Sequence, residues 1–190
     1  MSFKSGKGME IKMTEEMWDA YDAYENKLGF EIPRSRAKSL PEGVYHVVVF
    51  VYCVTKNGKI LITRRAPEKT YPLKWEVTGG SIITGELPKE GALRELCEET
   101  GIVKKEDDLE PLYDFTDTVK QCIYHGFFTL IEEDMNIRLQ KDETIDYRLI
   151  EFEEFKKLVV STEFVPSEGK RYLQFKNQIE DKLRKLFKAV

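Results

Sequence analysis

The sequence has little cysteine and even less histidine. Its three cysteines, Cys53, Cys97 and Cys122, are widely spaced and odd in number. None sits in a C-x-x-C pair, which speaks against a zinc site or a disulfide scaffold. Buried free thiols in a reducing, cytoplasmic compartment are the expectation. No apolar run approaches the length that crosses a bilayer. Met1–Met9 is polar and lysine-containing, without the apolar segment of a signal peptide, so no membrane partner is expected. A basic excess is also missing, since 30 Lys and Arg stand against 34 Asp and Glu, for a formal net charge of -4. General nucleic-acid binders displace counterions with a basic face, so no nucleic-acid partner is expected either. A small phosphate-bearing ligand remains admissible, because a bound cation reverses the local charge. Internal repeats and low-complexity linkers are absent.

Core-forming material, by contrast, is present. Hydrophobic residues make up 41% of the 190 and aromatics 12%, enough for one ordinary domain with an extension. Trp18–Asp22 and Leu28–Ile32 suit the arms of a hairpin, with Glu25-Asn26-Lys27 as its turn. Pro33 and the polar stretch to Pro41-Glu42-Gly43 separate it from the main body. The division expected is therefore an N-terminal extension over residues 1–40 and a main domain over 41–190. Val44–Val54 is too apolar to alternate cleanly and reads as a central strand. Lys56–Lys59 turns the chain into Ile60–Thr63. A glycine-containing loop leads to a helix over Pro88–Thr100, with Pro88 in its first turn and Gly101 just past its end. Further strands are expected over Leu112–Thr118, Cys122–Ile131 and Asp146–Glu151. A short helix over Glu153–Val159 and a longer one over Ser167–Phe187 follow. In the longer one Leu173, Phe175, Ile179, Leu183 and Leu186 recur at helical spacing as packing residues. This order suits one sheet with helices packed on it.

The chemistry concentrates on the helix over Pro88–Thr100. At about 100° per residue, Ala92, Leu93, Leu96 and Cys97 fall on one face, so Cys97 reads as packing rather than as a nucleophile. Glu95, Glu98 and Glu99 gather on the other. Three clustered carboxylates repel, and they stand towards the end of the helix where the macrodipole disfavours negative charge. A solvated acidic face is the plain alternative, since Glu is a good helix former. It leaves the charge placement and the preceding glycine loop unexplained. A hard divalent cation explains both, because Mg²⁺ takes oxygen ligands and combines a few carboxylates with substrate phosphates. Arg94 reaches Glu98 four residues on, or orients another carboxylate.

Gly80, Glu86, Arg94, Glu95, Leu96, Glu98, Glu99, Gly101 and Ile102 together resemble the Nudix box and meet each of its defined positions. The resemblance extends to Leu61–Pro67 and Tyr71–Gly79 before the box, and to Tyr147–Phe155 after it. It implies an α/β fold, an α/β/α sandwich around a mixed β-sheet, here with an N-terminal β-hairpin extension. It further implies a Mg²⁺- or Mn²⁺-dependent hydrolase acting on a small-molecule diphosphate. By position, Glu98 and Glu99 are implied as metal ligands, and Glu95 as a ligand or the base that activates water. The Gly79 carbonyl is implied as a further metal oxygen, Arg94 as an orienting residue and Glu86 as a tie between loop and helix. Glu143 is a candidate for a carboxylate outside the box, with Asp142 and Glu151 as nearby competitors.

Arg64 and Arg65 follow a strand and precede the box, where guanidinium groups grip phosphates. Exposed strand-end arginines are the equal alternative, and Lys69 and Lys74 stand lower. His46 and His125 read as satisfied histidines in apolar strands. Two rival functions remain. The Tyr24–Gly29 segment resembles the start of the isopentenyl-diphosphate isomerases, but the stretch Trp75–Ile82 lacks their cysteine and histidine. A non-catalytic Nudix-fold sensor would be expected to lose the box glutamates. The box leaves the substrate open among nucleotide sugars, ADP-ribose, dinucleotides, coenzyme A and nucleoside triphosphates. Trp18 and Tyr21, read as exposed, suggest that the hairpin joins two copies as a homodimer or covers the substrate.

Overall fold

The computed structural model describes residues 15–188, with side-chain surroundings through residue 185. The Met1–Met9 reading and the packing assigned to Leu186 lie outside what is described. In chain order the strands are β1 (Met17–Tyr21), β2 (Lys27–Pro33), β3 (His46–Thr55), β4 (Lys59–Arg65), β5 (Trp75–Glu76) and β6 (Thr78–Ser81). After helix α1 (Pro88–Thr100) come β7 (Glu110–Asp117), β8 (Cys122–Ile131) and β9 (Thr144–Glu151). Helices α2 (Phe152–Leu158), α3 (Pro166–Gln174) and α4 (Lys176–Lys188) follow.

The main sheet runs β5-β4-β3-β8-β7, with β6 added beside β3 and β9 beside β4. β3 and β8 are parallel, from His46↔Cys122 to Thr55↔Ile131. The other pairings are antiparallel, so the sheet is mixed. β3 explains why its sequence shows no alternation. Val47, Val49, Val51 and Cys53 pack with Ala92 and Leu96 of α1, whereas Phe50, Tyr52 and Val54 pack with Phe155, Tyr172, Ile179 and Leu183 of the other helices. Successive side chains point to opposite faces of a strand, and here both faces are covered. The result is the sandwich of α1, sheet, and α2–α4.

Several expectations need correction. The single helix expected over Ser167–Phe187 is two, α3 and α4, broken at Phe175, whose φ is -104° and ψ 16°. No proline or glycine causes the break. Phe175 instead leaves the helical path to stack on Tyr113 at 4.5 Å and to meet Phe115 edge-on. Leu173, counted among the packing residues, is exposed. The stretch between Thr63 and Pro88, read only as a glycine-containing loop, contains β5 and β6, which are too short to carry a period of their own.

The hairpin of β1 and β2 forms where expected, but Trp18 and Tyr21 are buried, not exposed. Trp18 stacks on His46 at 4.3 Å, and Tyr21 exchanges backbone hydrogen bonds with Tyr45. The hairpin also holds the loop before α1. Thr84 N–H donates to the Met17 carbonyl at 2.9 Å, and Gly85 N–H to Asp19 Oδ2 at 2.9 Å.

Candidate active site

The site is built around the second half of α1. Pro88 stands in the first turn, and Leu87 N–H donates to the Glu90 carboxylate at 2.7 Å, which satisfies one of the amides that a helix leaves unpaired at its start. Gly101, with φ 73°, ends the helix in the left-handed region that glycine enters without strain. Between these ends, the Arg94 guanidinium organises the box. Its Nε and Nη2 donate to the two oxygens of Glu86 at 2.7 and 3.1 Å, and Nη2 also donates to the Ser81 carbonyl at 3.0 Å. Nη1 donates to Glu95 at 2.9 Å and to Glu98 at 3.0 Å. Glu86 in turn accepts Ile83 N–H at 2.9 Å. One cation thereby joins β6, the loop and two turns of α1.

The helix is rolled differently from the simplest projection. Gly91, Ala92, Leu96, Glu99 and Thr100 are its buried residues. At about 100° per residue, Glu99 falls between Gly91 and Ala92, while Cys97 is carried well past Leu96. Cys97 is accordingly exposed, contrary to the reading that placed it in the core. Glu99 is buried rather than grouped on the outer face with Glu98. Its Oε2 accepts Gly79 N–H at 3.3 Å.

Close approach fixes the glycines. A Cβ on Gly80 would lie 2.4 Å from Glu95 Cδ, and one on Gly79 would lie 2.3 Å from the Val49 carbonyl oxygen. Real side chains do not fit at such distances, so β6 can lie between β3 and the Glu95 carboxylate only as backbone.

These groups line a cleft of about 360 Å³. Seven carboxylates reach it, from Glu16, Glu76, Glu95, Glu98, Glu99, Glu143 and Glu168, against the four cations of Arg34, Arg65, Lys69 and Arg94. Negative charge is therefore in excess, and its cost is visible in the acidities. Burial first, then the Glu76 and Glu95 carboxylates, hold Glu99 well above the ordinary carboxylate range. Burial also raises Glu95 and Glu76, although Arg94 and Arg65 respectively pull them back. Burial and the neighbouring Glu76 push Glu168 up to about 8. Among the described residues, no three acidic, histidine or cysteine side chains already converge as a metal cage, and Glu95 and Glu98 are turned onto Arg94. The chemistry of the donor set nevertheless fits a hard divalent cation, with crowded carboxylate oxygens that outnumber the positive charges beside them.

Arg65 and Glu143 reach the cleft, Arg65 paired with Glu76 and Glu143 with Lys69. Arg64 does not. Alternation along β4 puts it on the opposite side, donating to the Leu73 carbonyl at 3.1 Å and lying over the Trp75 ring. Lys74 likewise bonds the Thr162 carbonyl away from the cleft. His46 is buried beside Trp18 and Cys122. His125 bridges Glu25 and Asp114.

Sequence reasoning missed Glu16, Arg34, Glu76 and Glu168. Glu76 carried a signal, as a lone charge between Trp75 and Val77. Glu168 and Arg171 stand three apart at the start of a helix read as packing, and only the fold turns them inward.

A sequence profile of the NUDIX domain matches residues 44–171. The chain is 32% identical over 141 residues to an uncharacterised Nudix hydrolase of Listeria monocytogenes, covering 69% of this chain and 78% of that protein. It is 28% identical over 157 residues to an ADP-ribose pyrophosphatase of Bacillus subtilis, covering 79% and 84% respectively. Among solved structures, a Deinococcus radiodurans protein superposes with a TM-score of 0.63 at 22% identity, covering 79% of this chain and 92% of that one. The chain belongs to the Nudix hydrolase family.

Proposed function

We propose that this protein hydrolyses the diphosphate bond of a nucleoside-diphosphate-linked or related small molecule, with Mg²⁺ or Mn²⁺ as cofactor. The observation that carries the reading is the excess of carboxylate in the cleft, to which the box helix contributes Glu95, Glu98 and Glu99. The named activity of the Bacillus subtilis relative, an ADP-ribose pyrophosphatase, supports the substrate class.

Glu95, Glu98 and Glu99 would hold the cation, with the Gly79 carbonyl and Glu143 as further oxygen donors. A divalent ion held by these residues would neutralise phosphoryl oxygens and make a nearby water a stronger acid. Arg94 keeps Glu95 and Glu98 facing the cleft, and Glu86 anchors Arg94. Arg65 and Lys69, each lent to a cleft carboxylate, supply guanidinium and ammonium donors to the diphosphate. Water attacks phosphorus, forming the new P–O bond as the bridging P–O bond breaks. The bridging oxygen leaves as a phosphate oxygen, and the proton of the water passes to a carboxylate of the Glu95–Glu98 pair. No covalent nucleophile is required.

The test is metal-dependent hydrolysis across a panel of diphosphate compounds, comparing the wild type with Glu98→Gln. The expected result is turnover that disappears with chelator and falls in the variant by more than the ~10–100-fold that disturbing an outer ligand partner costs. Binding of the same compounds without turnover would replace the hydrolase with a sensor.

A further inference from the structure

A second groove, of about 320 Å³, lies next to the cleft and shares Ser167 with it. Its character is the reverse of the cleft's. Lys120, Lys170 and Arg171 line it against the single acid Asp117, which is held by Lys120 at 3.7 Å. Phe115 and Tyr124, stacked with centroids 6.3 Å apart, supply an aromatic wall.

Arg171 is the unusual member. It is only 5% exposed, yet no carboxylate stands within ion-pair distance of it among the described residues. Its guanidinium is 3.8 Å from the Phe50 ring centroid and 4.6 Å from that of Tyr124, and its Nε has no hydrogen-bond partner. Its electrostatic partner is the buried Glu168, three residues back on α3, but among the described residues no hydrogen bond joins the two, and buried donors such as its Nε are ordinarily paired. Phe50 also lines the cleft, so the guanidinium stands one side chain from it.

We propose that this groove receives the far end of the substrate and selects diphosphates that carry a further phosphate there, on a planar nucleoside-like group. The further phosphate gives the Arg171 guanidinium the short charged hydrogen bonds that Glu168 does not make to it, as guanidinium groups do with phosphate. Lys120 and Lys170 surround it at the rim, and the ring system lies along Phe115 and Tyr124. The proposal rests on the diphosphatase reading of the cleft.

Matched compounds test it. Coenzyme A and its 3′-dephospho form differ only in that distal phosphate, as do 2′-phospho-ADP-ribose and ADP-ribose. The phosphorylated member of each pair is expected to have at least a tenfold higher kcat/KM, carried mainly by KM. Arg171→Met and the surface variant Lys120→Ala/Lys170→Ala should each bring the ratio towards one. The surface variant serves should Arg171→Met fail to fold. Hydrolysis with no preference, or a preference that survives the surface variant and any folded Arg171→Met, overturns the groove and leaves the hydrolase standing. A second arm reads binding without turnover, by titrating adenosine 2′,5′-bisphosphate and adenosine 5′-monophosphate calorimetrically. Tenfold tighter binding of the bisphosphate, lost in the double variant, upholds the groove even where no compound is hydrolysed. Equal binding together with no hydrolysis overturns both.

Discussion

Gly80 shows how narrowly the site depends on single atoms. A methyl group at this position would meet the Glu95 carboxyl group at 2.4 Å, and Arg94 holds that carboxyl from the other side at 2.9 Å. Gly80→Ala must therefore displace either β6 or Glu95. It is expected to lower kcat/KM by about 100-fold, as misplacements of about 1 Å do, with a smaller effect on thermal stability. Activity within threefold of wild type would contradict that account. The box residues were legible because their spacing is a fixed pattern of residue types. Their burial was not, because a projection assigns angles but not the direction of the core. Glu99 and Cys97 exchanged places for that reason, and Arg64 was indistinguishable from Arg65 until β4 gave them opposite faces.

At the scale of elements, the hairpin of β1 and β2 is fastened to the sheet by His125. Its ring nitrogens lie 2.7 Å from Glu25 in the hairpin turn and 2.7 Å from Asp114 on β7. Burial alone would lower the pKa of this imidazole, but the Glu25 and Asp114 carboxylates outweigh it and raise the value above 6.5. A raised pKa stabilises the folded state below the unfolded value, and that contribution disappears as pH rises through the folded value. Melting temperature compared between wild type and His125→Gln from about pH 5.5 to pH 8.5 should show the wild-type advantage shrinking as pH rises. A constant difference would mean that His125 fastens nothing by its charge. The hairpin itself could be read from the sequence because turn residues separate two short apolar runs. The β5 and β6 strands could not, since their partners lie in β3, β4 and the segment at Phe164. Nor could the break at Phe175, which answers to Tyr113 on another element.

For the whole molecule, the two helical layers share one sheet, and β3 serves both. Leu96→Ala in the α1 layer and Ile179→Ala in the opposite layer each truncate a side chain with 0% exposure. Each should cost about 2–5 kcal/mol, within a single denaturant transition of unchanged slope. Separate transitions for the two variants would show that the layers unfold independently. The parallel pairing at the centre has a different consequence, in time rather than in energy. His46 and Cys122 begin that pairing 76 positions apart. At about 5–20 residues per second on the ribosome, β3 waits roughly 4–15 s for its central neighbour to be synthesised. Throughout that wait a valine-rich strand has one open hydrogen-bonding edge, and such edges pair with other chains. The newborn chain is thus most exposed to aggregation before β8 emerges, and chaperone demand should be concentrated in that interval.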